Sequence, residues 1–313
     1  MDLKKGVLLL NMGGPNSIDE VELFLKNMFA DKYILPMSKQ MRKLVGSIII
    51  KKRLDEAKEN YQAIGGKSPL TETTLSLCKK VESLCGMPVR AGMRYVPPFS
   101  SKALNEFSKQ GIDDIVLFPM YPHYSTTTTL SSVEDVQWQC ELLGYKPEIV
   151  TVEPYYVSDK YLQMQIDGIK EALSTQDPQE YELLLSAHGL PMKIVEAGDP
   201  YANHVEVNAY RIKERLRNEG VHFGDIRLVY QSKIGGGAWL EPNLVDVLRK
   251  PNNLKVLIYP LAFTIDNSET VFELEIEHRD IAQKIGYEDY RVAKCPNDSD
   301  EFAEFIVEQI SSI

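Results

Sequence analysis

The amino-acid sequence predicts an α/β protein of two similar doubly wound, Rossmann-like domains, each with a four-stranded parallel sheet. Short apolar runs of strand character alternate with amphipathic helical stretches along the 313 residues. The runs are apolar almost throughout, which is typical of parallel strands that helices cover on both faces. Four runs fall in each half of the chain. The length agrees with two domains, because one domain takes about 100–200 residues.

The predicted strands of the first half lie at residues 7–12, 88–93, 114–120 and 147–152. Those of the second half lie at residues 181–187, 226–231, 254–260 and 290–294. We place one domain at residues 1–152 and the other at 153–313, because Glu153-Pro154-Tyr155 interrupts the pattern between them. Residues 300–313 carry apolar side chains at helical spacing, and we expect this final helix to pack on the first domain.

Composition excludes several classes of protein. The formal net charge of -10 provides no general field for phosphate backbones, so we expect no nucleic-acid partner. The four cysteines are scattered without a Cys-x-x-Cys pair, which argues against a zinc knuckle or a disulfide framework and suits a reducing compartment. No run approaches the ~18 apolar residues of a membrane span. We therefore expect a soluble, cytoplasmic protein.

The glycine-rich segments do not match a nucleotide-binding fingerprint. The turn after the first strand is Met12-Gly13-Gly14-Pro15, not Gly-x-Gly-x-x-Gly. The run at residues 235–237 follows a strand but lacks the lysine that contacts phosphates in a P-loop. A doubly wound fold without these motifs needs a different ligand.

His188 is the first candidate for chemistry, because it lies at the carboxyl end of a predicted strand, where open α/β sheets bind ligands. A neutral imidazole can accept a proton near pH 7 or coordinate a metal. The alternative is a structural histidine that caps a turn. We expect His204, His222 and His278, which lie in helical or loop contexts, at the surface.

Three glutamates form a second candidate site after the strand at residues 254–260. Read as a helix, Glu269, Glu273 and Glu277 lie four residues apart on one ridge, and carboxylates suit divalent cations. A solvated helical face is the alternative. The alternation of residues 273, 275 and 277 also fits a strand, but the next turn signal comes only at Gly286, so we favour a helix.

Two arginines and a tyrosine form a third candidate site. Arg94 and Tyr95 follow the strand that starts near Pro88, and Arg53 lies in a long insertion after the first strand. Together they could hold the carboxylates of an apolar ligand through charge-assisted hydrogen bonds. Surface arginines paired with the many acids are the alternative. The insertion itself is either a wall of a ligand site or an ordinary amphipathic helix.

The chain resembles the ferrochelatases, which insert ferrous iron into a porphyrin in haem biosynthesis. The similarity runs almost from end to end. It is carried by Leu10–Pro15, Ile64–Pro69, Met93–Val96, Ser186–Pro191, Gly198–Tyr201, Tyr230–Lys233 and Phe263–Thr270.

The resemblance implies a chelatase-like fold whose porphyrin cleft lies between the two domains. It implies that His188 and Glu269 are catalytic and face each other across the porphyrin, with Glu273 and Glu277 continuing an acidic path for the metal. It places five residues in the porphyrin pocket: Met12, Arg53, Arg94, Tyr95 and Trp239. It also implies that residues 33–50 can contact a membrane surface peripherally.

By this resemblance the activity is that of a lyase that metallates protoporphyrin IX to give protohaem. A coproporphyrin ferrochelatase of the same fold and a non-catalytic porphyrin or haem carrier are the alternatives. The sequence differs from the family pattern at Asn267, where the family commonly has a histidine. No cysteine-rich tail for an iron–sulfur cluster is present in the sequence, so we expect no cofactor beyond the substrate iron, and a monomer.

Overall fold

The computed structural model describes residues 4–233 and 236–313 of the chain, which divides into two compact units. The first unit is built from the chain up to Tyr121, from Ser125–Glu153 and from Asp298–Ile313. The second is built from Pro122–Tyr124 and Pro154–Asn297. Each unit contains one four-stranded sheet.

The sheet of the first unit has the order β2-β1-β3-β4, and every neighbouring pair is parallel. Its strands are β1 (Lys5–Asn11), β2 (Val89–Met93), β3 (Asp114–Pro119) and β4 (Glu148–Thr151). The helices are α1 (Val21–Ala30), α2 (Lys39–Ala63), α3 (Leu70–Cys85), α4 (Ser100–Gln110) and α5 (Ser131–Leu143). Residues Val7 to Leu10 of β1 are at most 1 % exposed, as expected for a central strand with both faces covered.

The sheet of the second unit repeats this pattern as β6-β5-β7-β8, again all parallel. Its strands are β5 (Glu182–His188), β6 (Asp225–Gln231), β7 (Lys255–Pro260) and β8 (Asp289–Val292). The helices are α6 (Asp159–Leu173), α7 (Met192–Glu196), α8 (Tyr201–Asn218), α9 (Leu244–Arg249), a π-helix (Glu269–His278) and α10 (Arg279–Ile285). The predicted fold class is confirmed, and each predicted strand is present with ends that differ by a few residues.

Alternation along β5 shows how the second sheet is buried on both faces. Leu183 and Leu185 pack in one apolar cluster with α6 and α8, whereas Leu184 packs in another with α9 and α10. Successive side chains of a strand point to opposite faces, so an apolar run without polar interruption is required here.

The insertion between β1 and β2 consists largely of α1, α2 and α3. Only Gly46 and Tyr61 of the 25 residues of α2 are buried. Three apolar side chains of this helix are about half exposed or more: Met41 (49 %), Leu44 (58 %) and Ile48 (51 %). No helix in the described part of the chain is both long and apolar enough to cross a membrane.

The last helix, α11 (Asp300–Ser311), belongs to the first unit and packs against α3. Phe302, Phe305, Ile306 and Ile310 form its buried face. Its N-terminus is capped by Ser299, whose Oγ accepts a hydrogen bond from the Phe302 N–H at 3.2 Å.

Candidate active site

His188 ends β5 at the carboxyl edge of the second sheet, directly beside Gln231 at the end of β6. Its Nδ1 lies 2.6 Å from the backbone oxygen of Gly189. A carbonyl oxygen can only accept a hydrogen bond, so Nδ1 carries the proton and the neutral ring keeps its lone pair on Nε2. The Tyr201 hydroxyl donates to the His188 backbone oxygen at 2.9 Å and so helps to hold the end of β5 in place.

Trp239 lies against the turn that follows His188. It pairs with Pro191 in an isolated antiparallel bridge, and the Gly189 N–H donates to Gln231 O at 2.8 Å. A Cβ atom on Gly189 would lie 2.9 Å from that oxygen and 3.3 Å from the Trp239 ring. A residue with a Cβ atom at position 189 would therefore be crowded by Gln231 O and by the Trp239 ring, and glycine avoids this contact.

The three glutamates lie on a helix, so the strand alternative is wrong. The helix is a π-helix, in which each N–H bonds five residues back. Glu269 and Glu273 are half-buried, and Glu277 is exposed.

Glu273 is held by the two residues that follow Tyr230. The Ser232 N–H donates to its Oε1 at 2.8 Å, the Ser232 hydroxyl donates to its Oε2, and Gln231 Nε2 lies 3.4 Å from Oε2. Burial raises the pKa of Glu273 and neighbouring Glu269 adds to the rise, whereas Ser232 and His188 oppose it. Glu273 can therefore carry a proton at higher pH than an exposed glutamate does.

Gln231 and Ser232 were not singled out from the sequence as functional residues. Gln231 accepts from the Ser186 hydroxyl at 2.7 Å and donates to the Glu269 backbone oxygen at 3.1 Å. It thereby links β5 to the π-helix. The available signal was the position of Gln231 and Ser232 at the carboxyl end of a strand, the criterion that identified His188.

His278 was expected at the surface, and this expectation is wrong. It is 1 % exposed, its Nε2 lies 3.9 Å from Glu273 Oε1, and burial lowers its pKa to about 4. The buried row of the π-helix is Thr270, Leu274 and His278, one residue beyond the glutamate row. The signal in the sequence for the burial of His278 was its spacing of four residues from the apolar Leu274.

In the first unit, the structure brings Met12, Arg94 and Tyr95 together at the carboxyl ends of β1 and β2. The Arg94 N–H donates to Asn11 O at 2.9 Å, and the Tyr95 N–H donates to Met12 O at 3.0 Å. Met12 is half-buried, whereas Tyr95 is only 2 % exposed.

Asp31, which was not identified from the sequence, occupies the centre of this group. Its carboxylate is 1 % exposed and accepts hydrogen bonds from the Tyr95 hydroxyl (2.9 Å), from Arg94 Nη2 (3.3 Å) and from the Ser131 hydroxyl. Arg94 also donates from Nε to Ser131 Oγ at 2.9 Å and lies 3.6 Å from an oxygen of Asp135. Two carboxylates therefore already neutralise Arg94.

Arg53 differs from Arg94 in this respect. It is half-buried on α2, and nothing in residues 4–233 or 236–313 forms an ion pair or hydrogen bond with its guanidinium. Its five N–H donors are available to a ligand carboxylate.

Metal binding was predicted for His188, Glu269, Glu273 and Glu277. Across the described residues, His, Cys, Asp and Glu side chains form no group of three or more that could hold a metal ion together. The four ligands stay a prediction for the substrate ion.

Comparison with known proteins identifies the family. The sequence model of the Ferrochelatase family matches residues 4–312. The chain belongs to the ferrochelatase family. A ferrochelatase of Wolinella succinogenes is 48 % identical over 313 residues, covering 99 % of this chain and 98 % of the relative. The ferrochelatase of Campylobacter concisus is 47 % identical (98 % and 97 % covered), and that of Sulfurimonas denitrificans is 45 % identical (97 % and 98 %).

Solved structures show the same fold at low sequence identity. CbiX, the terminal enzyme of sirohaem biosynthesis in denitrifying bacteria, superposes with a TM-score of 0.56 at 12 % identity, covering 99 % of this ferrochelatase-family chain and 98 % of CbiX. SirB from Bacillus subtilis, solved with Fe3+, also gives 0.56 at 12 % identity, with 99 % and 95 % covered. The shared architecture is that of the chelatases.

Proposed function

We propose that this ferrochelatase inserts ferrous iron into protoporphyrin IX to give protohaem, and that His188 is the base that accepts the two pyrrole protons one after the other, releasing the first to solvent water before it takes the second. The observation that supports this role is the 2.6 Å contact between His188 Nδ1 and Gly189 O. It leaves the Nε2 lone pair of the neutral ring as the proton acceptor. Such a general-base step contributes roughly 10²–10⁴-fold to a rate.

Metallation has a geometric barrier as well as a proton-transfer barrier. The centre of a flat macrocycle holds two N–H protons, and an ion cannot approach all four nitrogens in the plane. In our proposal Met12, Tyr95 and Trp239 form walls that bind the ring in a bent form, at a cost of ~1–5 kcal/mol that comes from binding energy. Met12 and Trp239 are half-buried and offer surface that the ring could contact, whereas Tyr95 is only 2 % exposed.

The glutamate row supplies charge and proton transfer for the ion. We propose that exposed Glu277 and half-buried Glu273 guide the hydrated ferrous ion towards Glu269, which exchanges water or protons with it. The raised pKa of Glu273 supports a part in proton transfer, because a carboxyl that binds a proton more readily can relay it.

Arg53 and Arg94 are the proposed partners of the porphyrin propionates, because an apolar pocket without cationic partners would disfavour their burial. Arg53 has its donors available, whereas Arg94 is already paired with Asp31 and Asp135. A propionate on Arg94 would have to share or replace those carboxylates. Replacing Arg53 by methionine is therefore expected to raise the porphyrin KM several-fold with little change in stability.

Peripheral membrane contact through residues 33–50 is part of the proposal. It is supported by the exposed Met41, Leu44 and Ile48, which share α2 with Lys39, Arg42 and Lys43. Exposed apolar side chains beside basic ones suit an interface with anionic lipids.

The test is anaerobic turnover of ferrous iron with protoporphyrin IX, followed as loss of porphyrin fluorescence, with coproporphyrin III measured in parallel. His188→Ala should abolish turnover while porphyrin binding persists, and His222→Ala, at an exposed histidine of the same unit, should match the parent protein. Near-parental turnover by His188→Ala would refute the proposed base. Faster turnover of coproporphyrin III would reassign the substrate, and tight binding without turnover of either would indicate a carrier.

A further inference from the structure

Asn267 lies two residues before Glu269 and is 4 % exposed. Its Oδ1 accepts hydrogen bonds from the backbone N–H groups of Glu269 at 2.8 Å and of Thr270 at 3.3 Å. Its Nδ2 donates to the Ile265 oxygen at 3.3 Å. The first N–H groups of a helix have no partner within the helix, so this amide satisfies two of them where the π-helix starts.

A reciprocal hydrogen bond closes this cap. The Asn267 N–H donates to Thr270 Oγ1 at 3.0 Å, and the Thr270 hydroxyl donates to Asp266 Oδ1 at 2.9 Å. The arrangement is a capping box with asparagine as the cap and threonine three residues later. Asp266 is in turn bound by Asn297, whose Nδ2 donates to Oδ2 at 2.7 Å. The start of the helix is therefore fixed on both sides of Asn267.

Two amide side chains hold the backbone on either side of the Glu269 side chain. Asn267 binds its N–H, and Gln231 Nε2 binds its carbonyl oxygen at 3.1 Å. These bonds fix the backbone position from which the Glu269 side chain extends, and the Ser268 hydroxyl donates to Glu269 Oε2 at 3.0 Å.

We propose that Asn267 is the positioning residue for Glu269. This inference rests on the proposed function of Glu269 and goes beyond it, because Asn267 acts through the backbone and not on the substrate.

The experiment compares kcat and porphyrin KM of Asn267→Ala and Asn267→Ser with a matched control, Asn253→Ala. Asn253 makes the same two kinds of bond, accepting from the Lys255 N–H at 3.0 Å and donating to Glu180 O at 2.7 Å. It precedes β7, at the opposite end of the strand from the π-helix. We expect Asn267→Ala to lower kcat about tenfold with KM within about twofold, Asn267→Ser to recover to within about threefold, and Asn253→Ala to have no effect.

A further comparison separates positioning from general destabilisation. If Asn267 acts through Glu269, the double variant Asn267→Ala/Glu269→Gln should be no slower than Glu269→Gln alone.

An unchanged kcat in Asn267→Ala, or the full tenfold loss persisting in the double variant, would overturn the inference while the role of Glu269 stands. Parental turnover by Glu269→Gln would instead refute the proposed role of Glu269 itself, and with it any positioning that acts through Glu269.

Discussion

Acid should destabilise the second unit through His278, and replacing this histidine by glutamine should remove that part of the loss. The imidazole is 1 % exposed, and burial lowers its pKa from 6.5 to about 4. Between these two values the unfolded chain binds a proton on His278 and the folded unit does not. The contribution to stability is therefore complete above about pH 6.5 and is lost as the pH falls towards 4.

The size of the effect follows from the two pKa values. A histidine that titrates near 6.5 when unfolded and near 4 when folded costs about 2 kcal/mol between pH 7 and pH 5. His123, 2 % exposed in the same unit, adds a similar loss because burial lowers its pKa to about 3. Glu273 acts in the opposite direction, since its raised pKa lets the folded unit take up a proton more readily than the unfolded chain.

The assay is urea unfolding at pH 7, 6 and 5, followed by Trp239 fluorescence in a Trp138→Phe background. The chain has two tryptophans, and Trp239 is the one in the second unit. The loss of stability between pH 7 and pH 5 should be about 2 kcal/mol smaller in His278→Gln than in the parent, a difference of roughly 1 M in the shift of the urea midpoint.

The control for this measurement is His222→Gln, at an exposed side chain, which should keep the decline of the parent. A His278→Gln protein with the same pH dependence as the parent would refute the reasoning. The change with pH is compared, so a lower absolute stability of the variant would not alter that conclusion.

Three other variants test single contacts. Asp31→Ala removes a buried carboxylate that a guanidinium and two hydroxyls share, and should cost the first unit about 3–5 kcal/mol, measured as lost hydrogen-exchange protection of β1. Ser232→Ala removes a hydroxyl that lowers the pKa of Glu273, so a limb of the kcat–pH profile that needs this carboxylate ionised should move to higher pH. Phe305→Ala, at a side chain with no exposed surface, should cost about 3–5 kcal/mol, seen as lost protection of α3.

The fold could be predicted because its signals are local. A buried parallel strand must be apolar on both faces, and Leu183, Leu184 and Leu185 satisfy that condition within three consecutive residues. The π-type hydrogen bonding could not be predicted. Periodicity indicates a helix over the glutamates, but the residue types do not show whether each N–H bonds four or five residues back.

The position of His188 at the end of β5 was predictable, because the apolar run before it marks the strand. Asp31 was not predictable, because its partners Arg94, Tyr95 and Ser131 lie 63, 64 and 100 residues further along the chain. A single aspartate directly after α1 is not part of any periodic pattern in the sequence. Its importance comes from the tertiary contacts that bury it.

The route of the chain through the first unit has a consequence for synthesis. Asp298–Ile313, which supplies the apolar face of α11, is translated only after the whole of the second unit. Until then the surface of α3 that α11 packs against is not covered by α11. The unit whose synthesis begins first is thus completed last. A stalled or shortened message would therefore release an N-terminal half that exposes apolar surface to chaperones and proteases.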